Sequence, residues 1–221
     1  MSERKYNQDC ALARASDLLG ERWTLLIVRD LLIAPRRFGE LETRLKGMGT
    51  NLLAKRLKDM QHARLVSGGE ARSAYHLTEM GRALEPMVLQ LVRWSLHWVR
   101  HNTKPAGLHF LDWDLLAFKS LFVPDPKMRK ALVARFEAGE WIAWIRIDQQ
   151  CFAFGLGEPE HAPDISFLCT VAGLRQADHR LSGMNPVMRR KARRLLSCFP
   201  LPEFPLGAEW PRSRRGSPET A

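Results

Sequence analysis

The sequence predicts an α+β protein, with helices and a two-stranded β element in its first half and an α+β unit with an antiparallel sheet in its second. Two observations carry this. Apolar residues recur at three- and four-residue spacing through most of the first hundred positions, then at a spacing of two across residues 141–169. A polar stretch with Pro and Gly, residues 102–107, separates the two patterns and reads as a linker. With 221 residues and 45% hydrophobic content, the chain can bury two modest cores. The expected units are residues 8–101, residues 107–200, and a Pro-, Gly-, Arg- and Ser-rich tail over 201–221 that is expected to be flexible.

The first half contains four short helices in succession. Residues 10–19 carry Leu12, Ala15, Leu18 and Leu19 and end at Gly20. Residues 23–33 present Trp23, Leu26, Ile27 and Leu31 and stop before Pro35. Residues 38–45 space Phe38, Leu41 and Leu45 three and four apart. A Gly-containing turn over 46–49 follows, and Thr50 is suited to cap the next helix through its hydroxyl. That helix, residues 51–61, has Leu53, Leu57 and Met60 as its inner stripe. Residues 65–66 and 74–77 read as short strands around a Gly-rich tip. Thr78 caps a last helix over 79–100, within which Pro86 predicts a kink.

A short helix, a turn, a second helix and a β hairpin make a winged helix-turn-helix. In such a unit the second helix buries one face on the first and offers the other to the DNA major groove. If Leu53, Leu57 and Met60 point inward, the opposite face holds Asn51, Leu52, Lys55 and Arg56, with Thr50 at its start and Lys58 on the flank. Arg72 at the wing tip can reach a minor groove or phosphate. Taken alone, Lys55, Arg56 and Lys58 would read as an ordinary solvated helix face; the turn before and the wing after favour DNA. Charge agrees. Residues 1–104 hold 18 basic against 11 acidic side chains, and the rest 16 against 13, so most of the net +10 sits in the first half.

The ordered series Cys10, residues 19–27 (Leu-Gly-Glu-Arg-Trp-Thr-Leu-Leu-Ile), residues 37–41 (Arg-Phe-Gly-Glu-Leu) and residues 53–60 (Leu-Ala-Lys-Arg-Leu-Lys-Asp-Met) resembles the HxlR family of winged-helix regulators, related to the MarR type. Leu65-Val66, residues 75–81 (Tyr-His-Leu-Thr-Glu-Met-Gly), Leu84, Pro86 and Trp94 extend it, over about two-fifths of the chain. The resemblance implies a transcriptional regulator that binds double-stranded DNA as a homodimer, with its first and last helices as the interface. It also implies that Cys10 occupies a position where some members carry a redox-sensing cysteine; the plainer reading is a small buried helix residue. The wing here is shorter than is usual in the family. The stripe Leu84, Val88, Leu91, Trp94 and Trp98 has more apolar surface than a small winged unit can cover, and dimer burial is a use for it. His97 and His101, at i and i+4, lack a third ligand, and no metal or cofactor is expected.

In the second half a helix over 113–122, a second over 127–136, three strands within 141–169 and helices over 171–179 and 187–196 are expected. This order resembles the sterol-carrier-protein fold, which implies an apolar cavity. Trp141, Trp144, Phe152 and Phe154 are candidates to line it for a small apolar effector, with Arg146 and Asp148 to orient the ligand; the same aromatics could fill a solid core. Cys151, Cys169 and Cys198 read as core positions. Asp112 and Asp114 lie close together with nothing to place a substrate beside them, and nucleophile, zinc-hydrolase, phosphate-loop and dinucleotide motifs are missing, so no catalytic residue is expected. The four cysteines are scattered, the N-terminus lacks a signal-peptide core, and no apolar run spans a bilayer, so a cytoplasmic location without membrane contact is expected. The alternative to a DNA-binding regulator is a ligand-binding or protein-interaction module in which the winged unit serves dimerisation only.

Overall fold

The computed structural model describes residues 5–98, 110–169 and 184–200. The linker expected over 102–107, the helix over 171–179, His101 and the tail 201–221 lie outside the described residues.

The first helices are α1 (Ala11–Leu19), α2 (Thr24–Ile33), α3 (Phe38–Arg44) and α4 (Thr50–His62). The wing is β1 (Val66–Gly68), a single 3-10 turn over Glu70–Arg72, and β2 (Tyr75–Leu77), paired antiparallel with Val66 opposite Leu77. The expected last helix is two pieces, α5 (Glu79–Arg82) and α6 (Glu85–Trp98). Thr78 caps α5 as its hydroxyl accepts from the Gly81 amide. The break falls just before Pro86, which then sits in the first turn of α6, where a missing N–H costs nothing. Ile27, Leu41, Leu53, Leu57, Leu65, Leu77 and Val88 form one buried cluster drawn from α2, α3, α4, the wing and α6.

The second cluster joins α7 (Trp113–Leu121), a four-stranded sheet and α8 (Pro186–Ser197). The strands are β3 (Leu132–Ala138), β4 (Trp141–Ile147), β5 (Phe152–Leu156) and β6 (Ile165–Phe167), in the order β5-β4-β3-β6. Two expectations are corrected here. Residues 132–138 are a strand, not the end of a helix, because Leu132, Ala134 and Phe136 alternate into the core opposite β4. The sheet is antiparallel through β5, β4 and β3, but β6 runs parallel to β3. Among the described residues no helix is long and apolar enough to cross a membrane.

The two clusters meet at a buried ionic junction. Asp30 of α2 accepts from Arg44 Nε at 2.6 Å, from Arg29 at 2.8 Å and from Trp113 Nε1 at 2.8 Å. Asp112, just before α7, accepts from Arg44 at 2.7 Å and from Arg36 at 2.6 Å. Arg29 and Arg44 also lie over the rings of Trp113 and Phe110. Burial alone would lower the Arg44 pKa, but its bonds to Asp112 and Asp30 outweigh this and raise it.

Candidate nucleic-acid interface

Helix α3 begins where Glu40 accepts from the Arg37 amide at 2.6 Å, and it ends in a turn where Gly47 takes φ +99°, a conformation that suits Gly. Helix α4 then lays Leu53, Leu57 and Met60 into the core. Gly49, not Thr50, is the N-cap. Thr50 is the first helical residue, and its hydroxyl donates instead to Glu42 of α3. The side chains of Asn51, Leu52, Lys55 and Lys58 are exposed along α4. Lys55 is paired with Asp59 at 2.9 Å in a solvated i,i+4 bridge.

Arg56 departs from expectation. It is 8% exposed, not on the outer face. Its guanidinium donates to Glu21 at 2.7 Å and lies 3.7 Å from Asp59. The reason is that Arg56 flanks the buried stripe, so its head folds back to the Glu21 carboxylate ahead of α2.

The wing is tied to α4 through Gln61, whose side-chain amide donates to the Gly68 carbonyl at 2.8 Å. Gly69, at φ +87°, leaves no room for a Cβ beside the Tyr75 ring. Arg72 closes the 3-10 turn at the wing tip. The backbone of Arg36 exchanges two hydrogen bonds with Tyr75, which ties the tip-side end of β2 to the segment just before α3.

The proposed dimer stripe divides. Leu91, Trp94 and Trp98 are close to half exposed. Val88 is 5% exposed in the winged core, and Leu84 packs against that core, so these two are corrected from interface to interior. Leu12 and Leu18 of α1 are exposed.

Cys10 is exposed at the N-cap of α1, not buried. The amides of Ala13 and Leu12 hold its thiol below the ordinary pKa, although the thiol makes no capping hydrogen bond. Cys151 is also exposed, whereas Cys198 is buried and Cys169 packs against the core.

The four candidate pocket aromatics do not share a pocket. Trp141, Phe152 and Phe154 lie on the inner face of the sheet, and Phe152 is a core residue against Phe122 and Phe199. Trp144 points to the other face, over Gly155, where a Cβ would collide with its ring. Arg146, exposed, shares that outer face, 3.9 Å from Asp148. The alternation of the strands enforces this split.

The model of the HxlR-like helix-turn-helix family matches residues 18–103. The uncharacterized HTH-type transcriptional regulator YvaP of Bacillus subtilis is 33% identical over 91 residues, covering 39% of this chain and 84% of that protein. The chain belongs to the HxlR-like helix-turn-helix family. YodB, an HTH-type transcriptional regulator of Bacillus subtilis, is 31% identical over 86 residues, 37% of this chain and 77% of YodB. A Mycobacterium tuberculosis HTH-type regulator is 38% identical over 90 residues, but these span 38% of this chain and only 56% of that protein. The crystal structure of quinone-bound YodB matches at 32% identity and a TM-score of 0.36, covering 38% of this chain and 93% of that one. This HxlR-like protein is therefore a helix-turn-helix transcriptional regulator, not an enzyme. The family match ends at residue 103, ahead of α7, the four-stranded sheet and α8.

The junction residues Arg36, Arg44 and Asp112 were not legible as a group, because partners 68 and 76 positions apart leave no local signal.

Proposed function

We propose that this regulator binds duplex DNA as a homodimer. Helix α4 enters the major groove and the wing lies along the neighbouring backbone. Two heads related by a twofold axis require a pseudo-palindromic operator, with half-sites about one helical turn, or a multiple of it, apart. The observation that carries this reading is the exposed row Asn51, Leu52, Lys55 and Lys58 on a helix whose other side is locked into the core. Lys55 and Lys58 suit phosphates, and Asn51 suits adenine. Arg72 at the wing tip adds a backbone contact.

For the dimer, the support is the set of exposed apolar side chains on α1 and α6: Leu12, Leu18, Leu91, Trp94 and Trp98. Residues 110–200 form an added unit that adjusts the DNA-binding half through the junction at Asp112.

Fluorescence anisotropy with duplex DNA across a salt series tests the reading. Binding must weaken steeply with salt and be tightest on a pseudo-palindrome. Light scattering must report two chains. Salt-independent binding, or none, leaves a module whose winged unit serves dimerisation only.

A further inference from the structure

The second unit carries a basic surface outside the DNA-binding head. Residues 124–130 and 186–194 hold eight basic side chains against one acid. The fold brings the two stretches together, because segment 123–133 is pinned to α8 at both ends. The Val123 amide donates to the Cys198 carbonyl at 2.8 Å, and Asp125 accepts from Arg194 at 3.0 Å. At the other end the Asp164 carboxylate joins the Val133 amide to Lys191. Met128, between these anchors, is buried in the core that also takes Ala192 and Leu195. The two acids thus answer the bases on the flanks of α8. Arg190 and Arg193 lie about 160° around the helix from the Ala192–Leu195 stripe, at 100° per residue. Both are exposed, and so are Lys127, Arg129 and Lys130. Among the described residues none of these five is in an ion pair. Asp148, whose loop touches Pro126 through Gln149, turns its carboxylate to the Gln150 and Cys151 amides. Arg189 with Arg193, and Arg190 with Arg194, stand four apart on one helix, where like charges repel. An anion over this surface would relieve a cost that the fold otherwise carries.

We propose that this surface binds the phosphate backbone of duplex DNA, as a second contact that reads no sequence. Charge is the feature its residues share. The exposed apolar residues of α8, Val187 and Met188, stand at the start of the helix, and Ala192, Leu195 and Leu196 face the core. A lipid surface would therefore find no apolar row to take in. A single strand would find no aromatic ring among these residues on which to stack a base. A protein partner would find no aromatic or apolar anchor at the centre of the patch. A phosphate row needs only cations held on a firm frame, and guanidinium forks suit its oxygens. The frame is firm: the Asn185 side chain caps α8 by accepting from the Met188 amide, and Pro186 opens its first turn. The place of this contact beside an operator rests on the reading of α4 as the recognition helix; the contact itself does not.

The test measures binding of the full chain to a random-sequence duplex across a salt series. Arg190→Gln with Arg193→Gln should lower the slope of log affinity against log salt by about two and weaken binding about tenfold at low salt, at unchanged Tm. Arg129→Gln with Lys130→Gln should do the same from the other stretch. Arg82→Gln, exposed on α5 and equal in charge to Arg193→Gln alone, should leave the slope as it is. Slopes that neither pair variant changes, or that Arg82→Gln changes as much as Arg193→Gln does, overturn the contact. Loss of binding to phosphatidylserine vesicles in the arginine pair variant, with duplex binding intact, also overturns it and gives the surface to a membrane. Preference for a pseudo-palindrome is measured in parallel. A protein that shows this preference and keeps its random-duplex binding in both pair variants upholds the regulator reading and overturns the second contact. One that loses random-duplex binding in them and prefers no sequence upholds the contact and overturns the operator reading.

Discussion

Arg56 lies about 70° around α4 from the centre of the Leu53–Leu57–Met60 stripe, whereas Lys55 lies about 170° away, at 100° per residue. That difference separates their roles, and it was available from the sequence; what hid it was placing Arg56 with Lys55 opposite the stripe. Arg56→Ala should therefore act on stability, lowering it by about 1–2 kcal/mol as the Glu21 bond and the packing of the side chain are lost. Lys55→Ala and Lys58→Ala should leave denaturant midpoints unchanged, since the Lys55–Asp59 bridge is solvated and worth about 0–1 kcal/mol. Each should instead weaken all DNA sequences and reduce the salt slope by about one. A lysine pair mutant with wild-type DNA affinity would remove α4 from the interface. Cys10 makes the other prediction at this scale. Because the amides of Ala13 and Leu12 lower its pKa, its thiolate share is larger than that of an ordinary thiol over the pH range between the lowered and the usual value. Iodoacetamide labelling followed by peptide mapping should show a rate midpoint for Cys10 at lower pH than for free cysteine. Cys198, whose pKa is raised first by burial and then by Asp125, should stay unlabelled in the native protein. If Cys10 carries an oxidant signal, mild peroxide changes DNA affinity in the wild type and not in Cys10→Ser; equal responses make it a structural residue.

The elements of the winged unit were legible because their signals are local: Gly20 and Pro35 as stops, Thr78 as a cap, a Gly-rich tip between two short β runs. The strand β3 was not. Met128, Leu132 and Phe136 stand four apart, a helical spacing, and the basic residues among them suit a helix. The buried positions are in fact Leu132, Ala134 and Phe136, and Ala134 is too small to register as a core signal. Pairing with β4 across a tight turn at Gly139 decides the matter, and such pairing is a tertiary effect. The parallel β6 is hidden for the same reason: nothing in its three residues says which strand it will join. Two glycines test how α5 and α3 are seated. A Cβ at Gly81 would fall 2.1 Å from the Leu65 carbonyl oxygen, so Gly81→Ala must push α5 away from the strand that starts the wing. A loss of about 1–3 kcal/mol is expected. Gly39 in α3 has open space around it, and Gly39→Ala should be neutral or gain up to about 1 kcal/mol. Chemical denaturation of the two variants reads both, and equal effects would mean that α5 is not held against Leu65.

At the scale of the whole molecule, the question is whether two hydrophobic clusters behave as one body. They meet at the buried ionic junction and where α7 packs along α6, with Leu116 and Leu121 of α7 buried. Asp112 is the keystone, since its two oxygens hold Arg36 and Arg44 at once and it is 4% exposed. Lys119–Glu85, at 2.6 Å, ties α7 to α6 but is partly exposed and weaker. Removing one partner from a buried network leaves the others charged and unmatched, a loss of about 3–5 kcal/mol. Asp112→Ala should therefore not only destabilise the protein but change how it unfolds. The wild type should melt in one transition, because unfolding either unit removes the junction bonds and the α6–α7 packing that the other relies on. The variant loses the bonds to Arg36 and Arg44 and keeps the Trp113–Asp30 bond and the α6–α7 packing, so the coupling is weakened and the calorimetric transition should broaden or split in two. Asp125→Ala supplies the control. Its Arg194 bond, at 3.0 Å, lies inside the second unit between the loop after α7 and helix α8, so it should lower one stability without splitting the transition. A single transition in Asp112→Ala, at the wild-type temperature, would mean that the junction carries no coupling, and the second unit could not adjust the DNA-binding head by this route.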